Sequence, residues 1–476
     1  MGLAETAPRA ADRRRAELGL VVIAAIITAA AYTLASLGQN AQIPARIIPF
    51  GVALLTLLVL THVVVRHFAP GADSTVVPLA VLLNGLGYVM IARLSDSLAS
   101  LQTIWTFVAV VGFVAVLLVV ERPGDLAHMK YTFLALGMGL ILLPLVPGLG
   151  TSVGGARIWV SLGPVNFQPG EFAKIAFALF FAGYLSDTGS ARVETTQQTP
   201  AVPSDGGEPG PTILRREDQP WRVIIAAWAF AVLVMVAEKD LGSALLFFTL
   251  FTVMMWMATG RTWLLALGLG GFAAASLIAY RLFGVVQTRV SVWLDPWSQY
   301  EGKGYQIVQA MFSFANGGTG GTGLGMGSPT KIPAAKTDYI FAALAEETGL
   351  LGATAVLVAF LLVIGAGLRI AMRTDRAFEK LLAIGLTTIV GMQSFIIIGG
   401  VIRLIPLTGI TLPFVSYGGS SLLSNWVLLA LLIRISDRTA RREGESPDVL
   451  SIGERMARRS VRREVARRER ASGEGR

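Results

Sequence analysis

The dominant pattern along the chain is a series of apolar runs of about 16–22 residues, separated by short polar segments. A helix of about 20 apolar residues crosses the ~30 Å hydrocarbon core, whereas a membrane barrel shows alternating segments of ~10 residues. The pattern therefore predicts an all-α polytopic membrane protein with about twelve transmembrane helices and a long extracytoplasmic loop before the tenth. The predicted spans are 18–37, 46–66, 75–93, 104–120, 130–148, 171–185, 222–238, 240–259, 262–282, 343–368, 381–402 and 415–435.

Charged residues set the predicted orientation. An even number of spans places both termini on one side, and most basic clusters fall on that side, which the positive-inside bias makes cytoplasmic. The net charge of +9 lies mainly in these loops and tails, so nucleic-acid binding is not needed to explain it. The polar segment 186–221 is predicted to be a disordered cytoplasmic loop, and 437–476 a basic cytoplasmic tail.

The remaining composition supports the membrane assignment and narrows the chemistry. Only 15% of the 476 residues are charged, and mean hydropathy is +0.62, whereas soluble proteins carry about a quarter charged residues. The chain has no cysteine, which excludes disulfides, thiolate catalysis and cysteine metal sites. No metal site is predicted.

A long polar, glycine-rich segment at 283–342 interrupts the apolar pattern and is predicted to carry function. Asp338 lies about one helical turn before the next span. Its carboxylate could act as a general base with a raised pKa, or it could cap the following helix. Spacing alone favours the cap.

Other charged side chains lie at or inside predicted spans. Glu346 and Glu347 lie about two turns into a span, where a carboxylate either pairs structurally or lines a polar cavity. Glu171 and Lys174 have the i, i+3 spacing of an intrahelical salt bridge, and each could equally face a cavity. Asp240, in a tight turn between two spans, is predicted to be a helix N-cap.

Six cations oppose the positive-inside bias because they fall on the predicted outer side, and four of them are candidates for one shared site. They could converge on one groove that binds a pyrophosphate, for which arginine offers a bidentate fork. Each could instead reach lipid phosphates individually. The glycines at 317–327 do not match a nucleotide-binding P-loop. The four cations are Arg157, Arg289, Lys336 and Arg403.

An ordered set of motifs resembles the SEDS family (shape, elongation, division and sporulation), the peptidoglycan polymerases typified by RodA and FtsW. The resemblance covers roughly 155–436 and is specific because the motifs occur in family order. They are Gly-Ala-Arg-Ile-Trp (155–159), Gln-Pro-Gly-Glu-Phe-Ala-Lys (168–174), Glu-Lys-Asp-Leu-Gly-Ser (238–243), Asp-Pro (295–296), Gly-Tyr-Gln (304–306), Gly-Leu-Gly (323–325), Thr-Asp-Tyr-Ile-Phe (337–341), Glu-Glu (346–347) and Pro-Phe-Val-Ser-Tyr-Gly-Gly-Ser (413–420).

The resemblance implies a reaction and roles for several residues. It implies polymerisation of lipid II on the outer face of a bacterial cytoplasmic membrane, with release of undecaprenyl pyrophosphate. Asp338 would then be the catalytic base rather than a cap, and the basic residues would bind the leaving group. Glu171 and Lys174 would form a polar pair beside the central cavity, and Asp240 would matter to the fold or the site. The implied partners are a class B penicillin-binding protein, other elongation or division proteins and membrane lipids.

The resemblance also implies a domain division and leaves alternatives open. The segments are a cytoplasmic tail (1–17), N-terminal helices with two additional spans (18–148) and a polymerase core (149–436). Lys336 stands where the family commonly has histidine and would alter the pKa of Asp338. The 403–419 region resembles the elongation branch more than the division branch. A lipid II flippase and a recruiting scaffold remain alternatives, and a requirement for Mg or Mn stays open.

Overall fold

The computed structural model describes residues 10–42, 47–153, 156–163, 165–196 and 221–445. Helices dominate this part of the chain, and each of the twelve predicted spans coincides with one of them. The helices are α1 (Ala10–Asn40), α2 (Ile47–Phe68), α3 (Val76–Leu94), α4 (Asp96–Val119), α5 (Lys130–Leu142), α6 (Gly170–Thr196), α7 (Trp221–Ala237), α8 (Leu241–Thr259), α9 (Trp263–Leu282), α10 (Gly284–Leu294), α11 (Tyr305–Gly317), α12 (Ile340–Arg373), α13 (Ala377–Val401) and α14 (Gly419–Glu445).

The all-α polytopic class is confirmed. Within the described ranges, nine helical segments are long and apolar enough to cross a membrane. Two shorter apolar helices, Leu57–Phe68 and Arg222–Ala237, coincide with two further predicted spans. The prediction of about twelve spans therefore exceeds the number that meets the length and hydropathy criteria.

Several helices extend beyond their predicted ends. α1 begins at Ala10, inside the predicted N-terminal tail, and α6 continues to Thr196, inside the segment predicted as disordered. α14 continues to Glu445 because its polar end has partners: the guanidinium of Arg442 donates to both carboxylate oxygens of Glu379 on α13. The disorder predicted for 186–196 is therefore wrong, whereas the domain division at 17 and 436 stays a prediction. The rest of the predicted loop, 197–220, and of the tail, 446–476, lies outside the described residues.

The predicted long loop at 283–342 contains two helices, α10 and α11, and short 3-10 turns. α11 forms because apolar residues recur at helical spacing, with Ile307, Val308 and Ala310 buried, and it packs against α12. These two helices were not predicted from the sequence, because glycines on both sides of α11 mask a short helical period.

A small antiparallel sheet lies between α5 and α6 and was not predicted. Its strands β1 (Gly150–Val153), β2 (Ala156–Leu162) and β3 (Val165–Phe167) are ordered β1-β2-β3. In the register, Thr151 pairs with Trp159 and Val160 pairs with Phe167. The backbone N–H of Arg157 donates to the carbonyl of Glu238 at 3.1 Å, which attaches the sheet to the turn between α7 and α8.

The core of the bundle surrounds α13, which packs against α6, α8, α12 and α14. Its apolar side chains are almost all buried, including Leu382, Leu386 and Ile396. At one end of this core, the chain between α13 and α14 meets the turn before α12, the beginning of α8 and α10. The candidate site is formed where these segments meet.

Candidate active site

Asp338 lies in the turn that precedes α12, and this turn is fixed by the chain between α13 and α14. The hydroxyl of Ser416 donates to the carbonyl of Thr337 at 2.6 Å and accepts from the N–H of Leu412 at 2.9 Å. The N–H of Tyr417 donates to the carbonyl of Lys336 at 2.9 Å. The two residues directly before Asp338 are therefore held by the Pro-Phe-Val-Ser-Tyr motif.

The capping hypothesis for Asp338 is wrong. α12 begins at Ile340 with Tyr339 at the N-cap position, and no side chain caps the helix. The carboxylate is free for other contacts because the helix starts one residue later than the spacing suggested. Burial raises the pKa of Asp338 to about 6, against a hydrogen bond from Thr337 and the positive charge of Arg289. Arg289, rather than the predicted Lys336, is the cation that acts on this pKa.

Arg289, on α10, lies close to Asp338. Its Nη1 donates to the carbonyl of Thr408 at 3.1 Å. Gly409 has a φ of +80°, and a Cβ placed there would lie 3.7 Å from Asp338 Oδ2 and 3.9 Å from Arg289 Nη2. A carboxylate and a guanidinium thus both face Gly409, where a side chain would fill the space between them. Burial lowers the pKa of Arg289, while Asp240 and Asp338 raise it.

Asp240 is the N-cap of α8, as predicted: its Oδ1 accepts from the N–H of Ser243 at 3.0 Å. A Cβ at Gly242 would lie 2.6 Å from Ile410, so the start of α8 rests on the segment that carries Gly409. Burial raises the pKa of Asp240 despite the hydrogen bonds from Ser243. Burial and the Asp240 charge raise the pKa of the neighbouring Glu238 to about 8.

Glu171 and Lys174 form the intrahelical ion pair that their spacing allows, with Lys174 Nζ 2.8 Å from Glu171 Oε2. Both side chains are buried and engaged further. Lys174 donates to Gln393 at 2.8 Å, and Ser424 donates to Glu171 at 3.1 Å. The amide of Gln393 donates to the carbonyl of Thr411 at 2.9 Å. A hydrogen-bonded network therefore leads from α6 to a residue two positions from Gly409.

Glu346 and Glu347 hold the segment before Asp338 rather than face an open cavity. Glu346 accepts from the hydroxyl of Ser313 at 2.7 Å and from the N–H of Ser328 at 2.9 Å. Glu347 accepts from Arg93 at 3.2 Å and from the N–H of Gly325 at 2.9 Å. The structural-pair interpretation is correct for Glu347, and Glu346 acts through neutral hydrogen bonds.

The other three candidate cations occupy different positions. Arg403 has a φ of 62°, and its guanidinium donates to the carbonyl of Trp293 at 2.7 Å, so it closes the end of α10. Arg157 donates to the carbonyl of Val146 at 3.3 Å. Lys336 is exposed beside Asp338 in sequence. The Arg403 guanidinium is engaged by main-chain carbonyls of α10, and the convergence of the four cations on one groove stays a prediction.

Sequence reasoning did not identify Arg93 or Gln393. Arg93 pairs with Glu347, which lies 254 positions further along the sequence. A single arginine at the end of an apolar span was the sequence feature that could have indicated a buried ion pair. Gln393 lies in the middle of the buried face of α13, where a polar residue is unusual. No group of His, Asp and Glu side chains within the described ranges is arranged to hold a metal ion.

Comparisons with known proteins agree with this architecture. The sequence model of the FtsW/RodA/SpoVE family, described as a cell cycle protein family, matches residues 73–441. The chain therefore belongs to this family of polytopic membrane proteins. It is 43% identical over 445 residues to peptidoglycan glycosyltransferase RodA of Mycobacterium tuberculosis, covering 91% of this chain and 92% of that protein.

Other relatives and solved structures are more distant. A probable peptidoglycan glycosyltransferase FtsW of Nitrosococcus halophilus is 33% identical, covering 80% of this chain and 96% of that protein. A chain from a peptidoglycan synthase complex, solved to explain the coordination of polymerization and crosslinking, aligns with a TM-score of 0.62 at 25% identity. That alignment covers 77% of this chain and 98% of the other. Thermus thermophilus RodA aligns with a TM-score of 0.52 at 23% identity, covering 77% and 96%, and shares the fold.

Proposed function

We propose that this protein is a peptidoglycan glycosyltransferase that polymerises lipid II on the outer face of a bacterial cytoplasmic membrane. The observation that carries the proposal is the meeting of the Asp338 carboxylate and the Arg289 guanidinium at Gly409. The higher identity to RodA (43%) than to FtsW (33%) favours a role in cell elongation over division.

In the proposed reaction, the 4-hydroxyl of an acceptor sugar attacks the anomeric carbon of a lipid-linked pyrophosphate donor. Asp338 accepts the hydroxyl proton as the new C–O bond forms, and the bond from the anomeric carbon to the pyrophosphate oxygen breaks. Undecaprenyl pyrophosphate leaves with the bonding electron pair. A pKa of about 6 leaves Asp338 mostly ionised at neutral pH while keeping it basic enough to accept a proton.

Arg289 supplies the positive charge that the leaving pyrophosphate requires. Its guanidinium already holds one fixed hydrogen bond, to Thr408, so it is oriented before substrate binds. Arg157 and the exposed Lys336 are the further cations that would bind the donor phosphates. A divalent cation, Mg²⁺ or Mn²⁺, would be held mainly by the substrate pyrophosphate, because the described residues contain no cluster of three or more His, Asp or Glu side chains that could hold a metal ion.

The proposed orientation places both termini in the cytoplasm and the Asp338 end of the bundle outside. The partner we propose is a class B penicillin-binding protein, which would crosslink the strands that this protein makes. The synthase complex among the structural neighbours supports such a pairing. Other elongation proteins and membrane lipids complete the proposed surroundings.

The decisive experiment measures lipid II polymerisation by the purified protein with its cognate transpeptidase, comparing wild type with Asp338→Asn. We expect glycan chains from the wild type and a loss of at least about a hundredfold in Asp338→Asn, because a positioned base contributes 10²–10⁴-fold. Glu301→Gln is the matched control, since Glu301 is an exposed carboxylate in the same polar segment. It should polymerise like wild type.

Two other outcomes would overturn parts of this proposal, and a third would decide whether a divalent cation is required. Equal polymer from wild type and Asp338→Asn would remove Asp338 from the chemistry. No polymer from folded wild type, with lipid II moved between leaflets of vesicles, would indicate a flippase. Loss of activity with a chelator, restored by Mg²⁺ or Mn²⁺, would establish the cation requirement.

A further inference from the structure

Helix α1 lies outside the family match, which begins at residue 73, yet its last turns contact the segment that leads to Asp338. We call residues 323–327 the glycine segment. A Cβ at Gly38 would overlap the carbonyl oxygen of Leu324, and a Cβ at Gly325 would overlap the carbonyl oxygen of Ala35. The two backbones therefore touch directly, and each side needs a glycine for the approach.

Apolar packing accompanies this backbone contact. Ala31 and Ala35 of α1 form a small buried cluster with Val89 of α3, and the side chain of Leu324 packs against it. This cluster is separate from the main core of the bundle. The half-buried side chain of Leu324 thus packs against α1 and α3 together.

The opposite side of the glycine segment is held by charged side chains. Arg93 at the end of α3 donates to the carbonyls of Gly325 and Gly327, at 3.2 Å and 3.0 Å. Glu347 on α12 accepts from the N–H of Gly325 at 2.9 Å and pairs with Arg93. The segment therefore lies between α1 on one side and an Arg93–Glu347 pair on the other.

The glycine segment is connected to Asp338 by a short, fixed stretch of chain. Ser328 is bound by Glu346, while Ile332 and Ala335 are buried. The hydrogen bond at Ser328 and the buried side chains of Ile332 and Ala335 thus connect the glycine segment to the turn that carries Asp338.

We infer that the C-terminal turns of α1 position the glycine segment for catalysis, and that Gly38 is the residue which permits this contact. Gly38 is a positioning residue, since the described contacts place it against Leu324 and not against Asp338 or Arg289. Its effect on polymerisation rests on the proposed function, whereas its effect on the glycine segment does not.

The test compares Gly38→Leu with Gly19→Leu in the full-length protein. Gly19 lies in the same helix with no neighbouring atom within 4 Å of a Cβ, so it controls for the change in helix propensity. Amide hydrogen exchange is measured at the N–H groups of Gly323 and Gly325, which donate to Glu347. We expect protection to be lost in Gly38→Leu and kept in Gly19→Leu. Equal protection in both would overturn the inference, whatever the protein catalyses.

Polymerisation kinetics supply the second readout. We expect Gly38→Leu to lower kcat by about tenfold or more, because a small misplacement of a catalytic group costs that much, while KM changes little. Gly38→Ala should fall between wild type and Gly38→Leu, and thermal unfolding should confirm that it folds. If Gly38→Leu fails to fold, Gly38→Ala alone decides. A normal kcat in Gly38→Ala with unchanged exchange would contradict the positioning role.

Discussion

At the residue scale, the site depends on the Asp338 carboxylate and the Arg289 guanidinium. Burial disfavours the charged form of each group, and the opposite charge of the other group favours it. Removal from water disfavours the ionised form of Asp338, and the positive charge of Arg289 partly restores it. The balance leaves the pKa at about 6. Changing either residue should therefore change the pH range in which the protein works.

We predict that kcat/KM for polymerisation rises with pH through a midpoint of about 6, because Asp338 must lose its proton before it can accept one from substrate. In Arg289→Gln the lost positive charge should raise the pKa of Asp338, so the midpoint moves to higher pH. The residual activity of that variant is measured from pH 5 to 9. A midpoint that stays in place or moves to lower pH would show that Arg289 does not act on Asp338.

At the element scale, buried polar side chains fix how helices are oriented about α13. Lys174 and Glu171 on α6 are bound by Gln393 on α13 and Ser424 on α14. A buried pair of this kind contributes modestly to net stability, but removing one partner leaves an uncompensated charge. Removing one member of the Glu171–Lys174 pair should therefore lower the free energy of unfolding more than replacing both with apolar side chains.

We predict that Lys174→Met lowers the free energy of unfolding by about 3–5 kcal/mol, the usual cost of a buried charge without its partner. The double variant Glu171→Leu with Lys174→Met should regain most of that loss, since no charge stays buried. Thermal unfolding in detergent measures both. A double variant less stable than Lys174→Met would argue that each side chain has an independent role, such as lining a substrate path.

At the scale of the whole molecule, the orientation in the membrane decides which substrate pool the site can reach. The exposed ends of the bundle are marked by Glu301 near α11 and by Asp375 between α12 and α13. Because the natural chain has no cysteine, single cysteines at these positions report their side without background labelling.

We predict that a membrane-impermeant thiol reagent labels Glu301→Cys in intact cells, whereas Asp375→Cys is labelled only after the membrane is permeabilised. This pattern follows from the positive-inside bias, which places the 369–380 cations in the cytoplasm. The reversed pattern would put Asp338 on the cytoplasmic side and exclude polymerisation on the outer face.

Features governed by neighbouring residues could be predicted from the sequence. Twelve apolar runs coincide with twelve helices, and Asp240 caps α8 as its position before Leu-Gly-Ser suggested. Glu171 and Lys174 pair because three residues of helix bring them together. These outcomes depend on helix periodicity and capping, which act within one or two turns.

Only the tertiary structure decided which distant residues meet. The side chains of Arg289 and Asp338 both face Gly409, and Arg93 binds Glu347, which lies 254 positions away in the sequence. The backbone of α1 at Gly38 contacts the glycine segment. Tertiary contacts likewise place Tyr339, not Asp338, at the N-cap position of α12. They also direct the Arg403 guanidinium to main-chain carbonyls of α10. Helix propensity sets where each element lies along the chain, whereas burial and close packing of many elements set which side chains share a site.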